Sequence, residues 1–401
     1  MDVVDRGKHV LIPNYARLPI CMDHGQGAWL WDTAGKKYLD LFAGFGGAVL
    51  GHCHPALVEA ATKQAHKLWH VGNTFYTEPQ IELAERLNKF AFAGQAFFCH
   101  GGADANESAV KLARLRGMKD GGKRWKTVSL QKSFHGRTLA MISATGNPAV
   151  REGFGPPVPG FTQVEPSDFD ALVAACDDET AAVIMEPIQG EGGVNSYPEG
   201  HVARVRKFCA ERGLTLIFDE VWSGCGRTGR WFAHQHFTEN GKVIEPDIMT
   251  LGKAVGGGLP VGVMWAKPEI AALMVPGKHG STLGGNPICM AVATRIFDLI
   301  EREKLVEHAA ELGEHAMARL KKDSRIAPRV ADVRGRGLML GIELKFEPQN
   351  LVQKGLERGV LMNLTAKKVI RLAPPINIAA QEWDQGLDLV METIAGLEEK
   401  K

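Results

Sequence analysis

Short apolar, β-rich runs alternate with amphipathic stretches through the middle of this chain, and that alternation restricts the fold more than any other feature. The runs are AFFCH (96–100), KTVSL (126–130), AAVIME (181–186), TLIFDE (215–220), DIMTL (247–251) and VGVMWA (261–266). Between them lie helix-like segments such as 106–118 and 201–212. Strands that are apolar throughout must be covered on both faces, and the intervening helices supply the cover. The expected fold is α/β, built on a mostly parallel sheet. The chain ends read differently. GAWLWDTAGKKYLDL (27–41) has the look of a β-meander, and 291–322 reads as one long helical stretch followed by short strands. A large central domain, residues 61–286, is therefore expected beside a smaller α/β domain assembled from residues 1–60 and 287–401.

A chain of 401 residues exceeds one ordinary core, which agrees with more than one domain. A formal net charge of +1 supplies no general field for nucleic acid or an anionic membrane, so any anionic ligand needs a local site. No apolar run approaches the ~20 residues of a membrane helix. The opening MDVVDRGKHV lacks the apolar core of a secretory signal, so a cytoplasmic place is expected. The seven cysteines are scattered without a CxxC pair and read as reduced, mostly buried small hydrophobes. His52, Cys53 and His54 are adjacent, a spacing at which residues rarely chelate one ion together, and no metal site is expected.

In sheets of this kind ligands bind beyond the carboxyl ends of the strands. The residues just after the strands share a chemical theme. TLIFDE ends in Asp219-Glu220, a carboxylate at a strand tip; the GxxxxGK[ST] loop that would make such an acid part of a nucleotide-hydrolysing site is absent. Lys253 follows DIMTL and precedes Gly256, Gly257 and Gly258, which let backbone approach a bound group closely. A lysine in such a loop is ordinarily solvated. At the ligand-binding edge of a sheet, in a low-dielectric site, its pKa falls and it can bond covalently to a carbonyl. After AFFCH, Gly101, Gly102 and Ala103 lead into a helix, and exposed N–H groups at a helix start make an anion site. SFHGRT (133–138) follows KTVSL and brings Phe134 as a stacking face and Arg137 as a fork for a carboxylate. A cofactor with a phosphate, an aldehyde and a ring nitrogen uses all of these groups. Pyridoxal phosphate fits, because its carbanion chemistry needs a protonated pyridine nitrogen beside a carboxylate.

Over nearly its whole length the sequence resembles the class III (ω-amino acid) aminotransferases and, within them, the acetylornithine aminotransferases. The resemblance is carried by GAWLWDTAGKKYLDL, LGHCHP (50–55), SFHGRT, EPIQGEGGV (186–194), LIFDEV (216–221), GRTGRWFA (226–233), LGKAVGGGLPVG (251–262), HGSTLGGNP (279–287) and VIRLAPP (369–375), in this order. It implies the aspartate aminotransferase-like fold of type I pyridoxal-phosphate enzymes, and a homodimer. Lys253 would carry the cofactor and move the proton. Asp219 would pair with the pyridine nitrogen, Val221 and Phe134 would cover its two ring faces, and Gly102 and Ala103 would hold the phosphate with Thr282 of the partner subunit. Arg371 would clamp the α-carboxylate of glutamate or 2-oxoglutarate. Glu191 would pair with Arg371 while an ω-amine substrate is bound, and Arg137 would hold the other carboxylate. Tyr76 is expected on the acyl side of the pocket.

The implied reaction is transfer of the δ-amino group of N-acetylornithine to 2-oxoglutarate, a step of arginine biosynthesis, by ping-pong kinetics. Ornithine, succinylornithine or 4-aminobutyrate as donor, an aminomutase, and a catalytically silent relative of the fold are the alternatives. The expected Glu191–Arg371 switch argues against the mutase, and intact Lys253 and Asp219 argue against a silent relative. Three departures from the family pattern lie near the substrate: Trp222 stands where Gln is usual, His100 and Gly101 where Asn and Ser are usual, and Ala48 where Asn is common. Indole offers a donor but no acceptor, so it does not reproduce the amide that usually partners the cofactor's phenolic oxygen.

Overall fold

The computed structural model of the protein describes residues 2–398; residue 1 and residues 399–401, the outer ends of the two terminal segments, lie outside the described residues. The N-terminal meander forms as expected: β1 (Met22–Gln26), β2 (Trp29–Asp32) and β3 (Lys37–Asp40) pair antiparallel in sequence order. The central sheet uses β4 (Gln95–Cys99), β5 (Lys126–Leu130), β6 (Phe161–Val164), β7 (Thr180–Met185) and β8 (Thr215–Asp219). After a small hairpin, β9 (Thr238–Glu239) with β10 (Lys242–Val243), it adds β11 (Ile248–Leu251) and β12 (Gly262–Ala266). Its strand order is β4-β12-β11-β8-β7-β5-β6. The pairs from β11 to β6 are parallel, and β12 is antiparallel to both of its neighbours. All strands but β12 therefore point the same way, and their carboxyl ends share one edge.

The strands at the centre of this sheet, β7, β8, β11 and β12, are buried at every residue, as continuous apolar runs covered on both faces must be. The helix Gly102–Gly117 packs against β11, β12 and β7, turning Ala105, Ala109, Leu112 and Ala113 inward. Strand β6 escaped the sequence pattern: FTQV is short, polar at its two middle positions and preceded by a Gly/Pro-rich stretch, and it lies at the sheet edge where burial is incomplete.

The C-terminal part contributes β13 (Val330–Arg336), β14 (Met339–Leu344), β15 (Val360–Leu361), β16 (Asn363–Thr365) and β17 (Val369–Leu372). β15 pairs parallel with β3, Val360 opposite Leu39, so the two chain ends share a sheet, while β13-β14-β17-β16 form another. The stretch expected as one helix is two, Pro287–Arg302 and Leu305–Lys322. The break is at Lys304, whose φ of 51° is left-handed and cannot continue a right-handed helix. Nothing in the sequence marks it, since neither Gly nor Pro stands there. The first helix begins cleanly, with the Asn286 side chain accepting from Ile288 N at 3.0 Å and Pro287 at the first turn. Its apolar face packs on helices Pro55–Lys67 and Glu78–Phe90, and one continuous core joins this layer to both chain ends. No helix among the described residues is long and apolar enough to cross a membrane.

Candidate active site

The two acids at the tip of β8 point opposite ways, as successive residues on extended chain do. Glu220 is buried on the far side, accepting from Ala233 N at 2.9 Å and His234 N at 2.7 Å, and ties down the turn there. Asp219, 4% exposed, faces the strand-tip edge. Its Oδ2 accepts from Asn106 Nδ2 at 2.7 Å and from His135 Nδ1 at 2.8 Å, and its Oδ1 from Val221 N at 3.0 Å. An ionised carboxylate has no proton to give, so Nδ1 of His135 carries one. Asn106 is fixed in turn: it donates to His135 O at 2.8 Å and accepts from Thr250 Oγ1 at 2.6 Å. The carboxylate is thus held from three elements in a single orientation.

The helix Gly102–Gly117 starts after extended Gly101 with no side-chain cap, which leaves its first N–H groups free for an anion. A Cβ on Gly102 would lie 2.5 Å from Val221 Cγ1, so only glycine lets the helix start close against the β8 tip. Lys253 follows β11 with a φ of 45°, a backbone state that costs a non-glycine residue about 1–3 kcal/mol and that places it at the head of the short turn Lys253–Gly256. Burial holds its amine below the usual lysine value, with Arg371 adding to the effect and the carboxylates of Glu191, Asp219 and Glu186 opposing it.

Across the cavity, Arg371 on β17 is 1% exposed. Its Nη1 lies 2.9 Å from Glu191 Oε1, its Nη2 donates to Asn363 Oδ1 at 2.9 Å on neighbouring β16, and its guanidinium stands 4.4 Å from the Trp222 ring. Burial lowers the Arg371 pKa while Glu191 raises it. Arg137 is exposed at the rim, 5.3 Å from the Phe134 ring. Glu186, at the tip of β7, uses one oxygen for Phe134 N and the other for Gly190 N, each at 2.9 Å. It therefore joins the loop bearing Phe134 and Arg137 to the loop bearing Glu191. Burial, and then the charge of Asp219, push its carboxyl up to about 7.

Gly102, Ala103, Phe134, Arg137, Glu191, Asp219, Val221 and Lys253 line one cavity of about 240 Å3, and Arg371 closes it through Glu191 and Trp222. Thr282 and Tyr76 lie outside it: Thr282 borders a crevice with Asn73 and Gln80, and Tyr76 is 95% exposed. Asn106, His135 and Glu186 share the cavity without having been singled out for it by their residue types, although His135 and Glu186 fall inside the strings SFHGRT and EPIQGEGGV; Trp222, named as a departure near the substrate, lines it as well. A larger depression, about 690 Å3, lies around residues 165–170 and 195–197 and contains none of the strand-tip groups.

The donor set fits pyridoxal phosphate. An uncapped helix start suits the phosphate, an amine whose pKa is lowered suits the carbonyl, and Asp219, immobilised by three donors, suits a protonated ring nitrogen. Phe134 and Val221 line the space between them.

Comparison with known proteins agrees with this geometry. The sequence pattern of "Aminotransferase class-III" matches residues 11–394. The chain is 44% identical over 382 residues to acetylornithine aminotransferase 1 of Bordetella pertussis, covering 95% of this chain and 96% of that one. It is 43% identical over 385 residues to the acetylornithine aminotransferase of Aquifex aeolicus, covering 96% and 99%. Among solved structures it superposes on the ornithine aminotransferase of Toxoplasma gondii with a TM-score of 0.92 at 30% identity, covering 98% of this chain and 95% of that one. With an acetylornithine aminotransferase from Elizabethkingia anophelis the TM-score is 0.85 at 31% identity, covering 98% and 97%. With its pattern matched nearly end to end and the strand-tip groups gathered in one cavity, the chain belongs to the class III aminotransferases.

Proposed function

We propose that this aminotransferase uses pyridoxal phosphate to move the δ-amino group of N-acetylornithine to 2-oxoglutarate, giving N-acetylglutamate semialdehyde and glutamate. The names of its relatives at more than 40% identity support the donor, and a place in arginine biosynthesis and in the cytoplasm follows from it. The observation that carries the reading is the Glu191–Arg371 pair at 2.9 Å on the wall of the Lys253 cavity. The two half-reactions bring different charge to one pocket. Glutamate and 2-oxoglutarate present an α-carboxylate for Arg371, whereas an ω-amine donor presents none at that point. Leaving a buried arginine without its partner costs roughly 3–5 kcal/mol, and Glu191, about one third exposed and on a loop, is a counter-charge that can move aside.

Pyridoxal phosphate, when bound, supplies an electron sink for the charge left on the amine-bearing carbon. Lys253 would hold the cofactor through Nζ and, as a free amine, would carry the proton between that carbon and the carbon that was the cofactor's aldehyde. Its burial keeps it neutral for this work at a lower pH than an exposed lysine. Asp219 keeps the ring nitrogen protonated, Gly102 and Ala103 N–H groups hold the phosphate, and Phe134 and Val221 cover the ring. Arg137 holds the second carboxylate of 2-oxoglutarate. Thr282 completes the phosphate site of the partner subunit in a homodimer, and Tyr76 lines the acyl side of the pocket. Their positions outside the cavity of a single chain suit sites closed at a subunit boundary. Residues 61–286 form the cofactor-binding domain, and 1–60 with 287–401 the smaller one.

The test is a donor panel with 2-oxoglutarate as acceptor, scored by glutamate formed. N-acetylornithine is expected to exceed ornithine and 4-aminobutyrate by about tenfold or more in kcat/KM, the discrimination a well-fitted pocket gives. Equal rates across donors would reject the assignment. A dominant response to ornithine would favour the activity named for the Toxoplasma gondii structure.

A further inference from the structure

Trp222 occupies the place where the family usually carries glutamine, and its surroundings show what an indole does there instead. Its Nε1–H donates to the carbonyl of Phe45. Its ring lies 4.4 Å from the Arg371 guanidinium and 5.4 Å from Lys253 Nζ. Two glycines from separate loops make room for it. A Cβ on Gly190 would stand 2.3 Å from the indole Cε3, and one on Gly46 2.7 Å from Nε1. Gly46, with a φ of 79°, lies two residues before Ala48, one of the departures from the family pattern. The indole, Gly46 and Gly190 are therefore one fitted unit: the bulky ring and the small residues around it require each other.

We propose that Trp222 is a positioning residue of the carboxylate site, its ring face holding the Arg371 guanidinium in place whether or not Glu191 is paired with it. This rests on the reading of Arg371 as the carboxylate clamp. A guanidinium is planar, delocalised and weakly hydrated, so it stacks on an aromatic face with little loss of solvation. Two other neighbours of Arg371 do not depend on Glu191: Asn363 Oδ1 at 2.9 Å and the indole ring at 4.4 Å. Unlike a carboxylate, the ring carries no charge and does not compete with the incoming substrate for the arginine. It steadies the clamp in both half-reactions, while Glu191 supplies charge in only one. The bond from Nε1 to Phe45 fixes the ring plane, and Phe42 on the same loop stands 5.3 Å from Arg371.

The experiment measures binding of glutarate, a dicarboxylate without a reactive carbonyl, to the holoenzyme by calorimetry, together with KM and kcat for 2-oxoglutarate. Trp222→Met and Trp222→Leu fill the space without a π face; two are used so that the result survives one failing to fold. Trp222→Phe keeps a face and loses the N–H. Met and Leu are expected to raise Kd for glutarate and KM for 2-oxoglutarate by about tenfold with kcat changed much less, and Phe to stay within about threefold of the parent. Unchanged affinity in both Met and Leu variants overturns the proposal. So does a loss in Phe equal to theirs, because the hydrogen bond to Phe45 would then carry the effect. Arg371→Lys is the control: parent-like glutarate binding there would reject the clamp reading itself, independently of Trp222.

Discussion

At the scale of single residues, the cavity is organised by buried polar groups that have almost no freedom. Asp219 is held by three donors, and Glu186 spends both oxygens on backbone N–H groups. Lys253→Ala removes the only side chain proposed both to hold the cofactor and to move the proton, so turnover in the donor assay should fall by at least about a thousandfold, within the range a general base alone is worth and with the lost link to the cofactor adding to it. Retained turnover would show that Lys253 has neither role. Glu186 offers a pH test. Its folded pKa is raised from 4.5 to about 7, so the folded protein keeps a proton that the unfolded chain has already released. A raised pKa gives stability that is complete below 4.5 and lost as pH climbs through about 7. Glu186→Gln has no such loss. Its stability relative to the parent should improve between about pH 5 and pH 8, by on the order of 1–3 kcal/mol in urea titrations. A difference that stays flat with pH would mean that Glu186 is ionised throughout.

At the scale of elements, the strand tips were legible because each apolar run ends where its polar residue begins, and a parallel sheet gathers those ends at one edge. Lys253, Asp219, Gly102 and Phe134 could be named from that rule. Asn106 and His135 could not be named from their types: each is an ordinary polar residue in a helix or loop, and its meaning comes from Asp219, distant in sequence. The helix start makes its own prediction. Gly102→Ala sets a methyl 2.5 Å from Val221 Cγ1, so the first turn must shift away from the β8 tip. Retention of pyridoxal phosphate in equilibrium dialysis should weaken by about tenfold, the worth of a charge-assisted hydrogen bond, with helix content in circular dichroism unchanged. The break between helices Pro287–Arg302 and Leu305–Lys322 was invisible in sequence because Lys304 adopts a left-handed φ of 51° with no glycine to announce it. Lys304→Gly should therefore be more stable than Lys304→Val by about 1–2 kcal/mol, since a β-branched residue fits that conformation worst. Equal stabilities in thermal melts would contradict the break.

At the scale of the whole molecule, the sequence announced the α/β plan, and in the structure β15 of the C-terminal part pairs with β3 of the N-terminal meander. The sequence could not say which surfaces would meet a second copy in the proposed homodimer. Trp69, Phe75, Tyr76 and Leu283 are each more than half exposed in the single chain, close in sequence to Asn73 or Thr282. If Thr282 serves the partner subunit's phosphate site, Thr282→Ala should weaken cofactor retention about tenfold although the residue lies outside its own chain's cavity, with sedimentation still reporting a dimer. Undiminished retention would place the phosphate contacts wholly within one chain. The most direct test of the central claim is a half-reaction. Purified holoenzyme is mixed with N-acetylornithine and no acceptor, and the aldehyde product is counted per active site. The expected result is about one equivalent from the parent enzyme, as double displacement requires, none from Lys253→Ala, and glutamate in matching amount once 2-oxoglutarate is added. No aldehyde from the parent, or a full equivalent from Lys253→Ala, would contradict it.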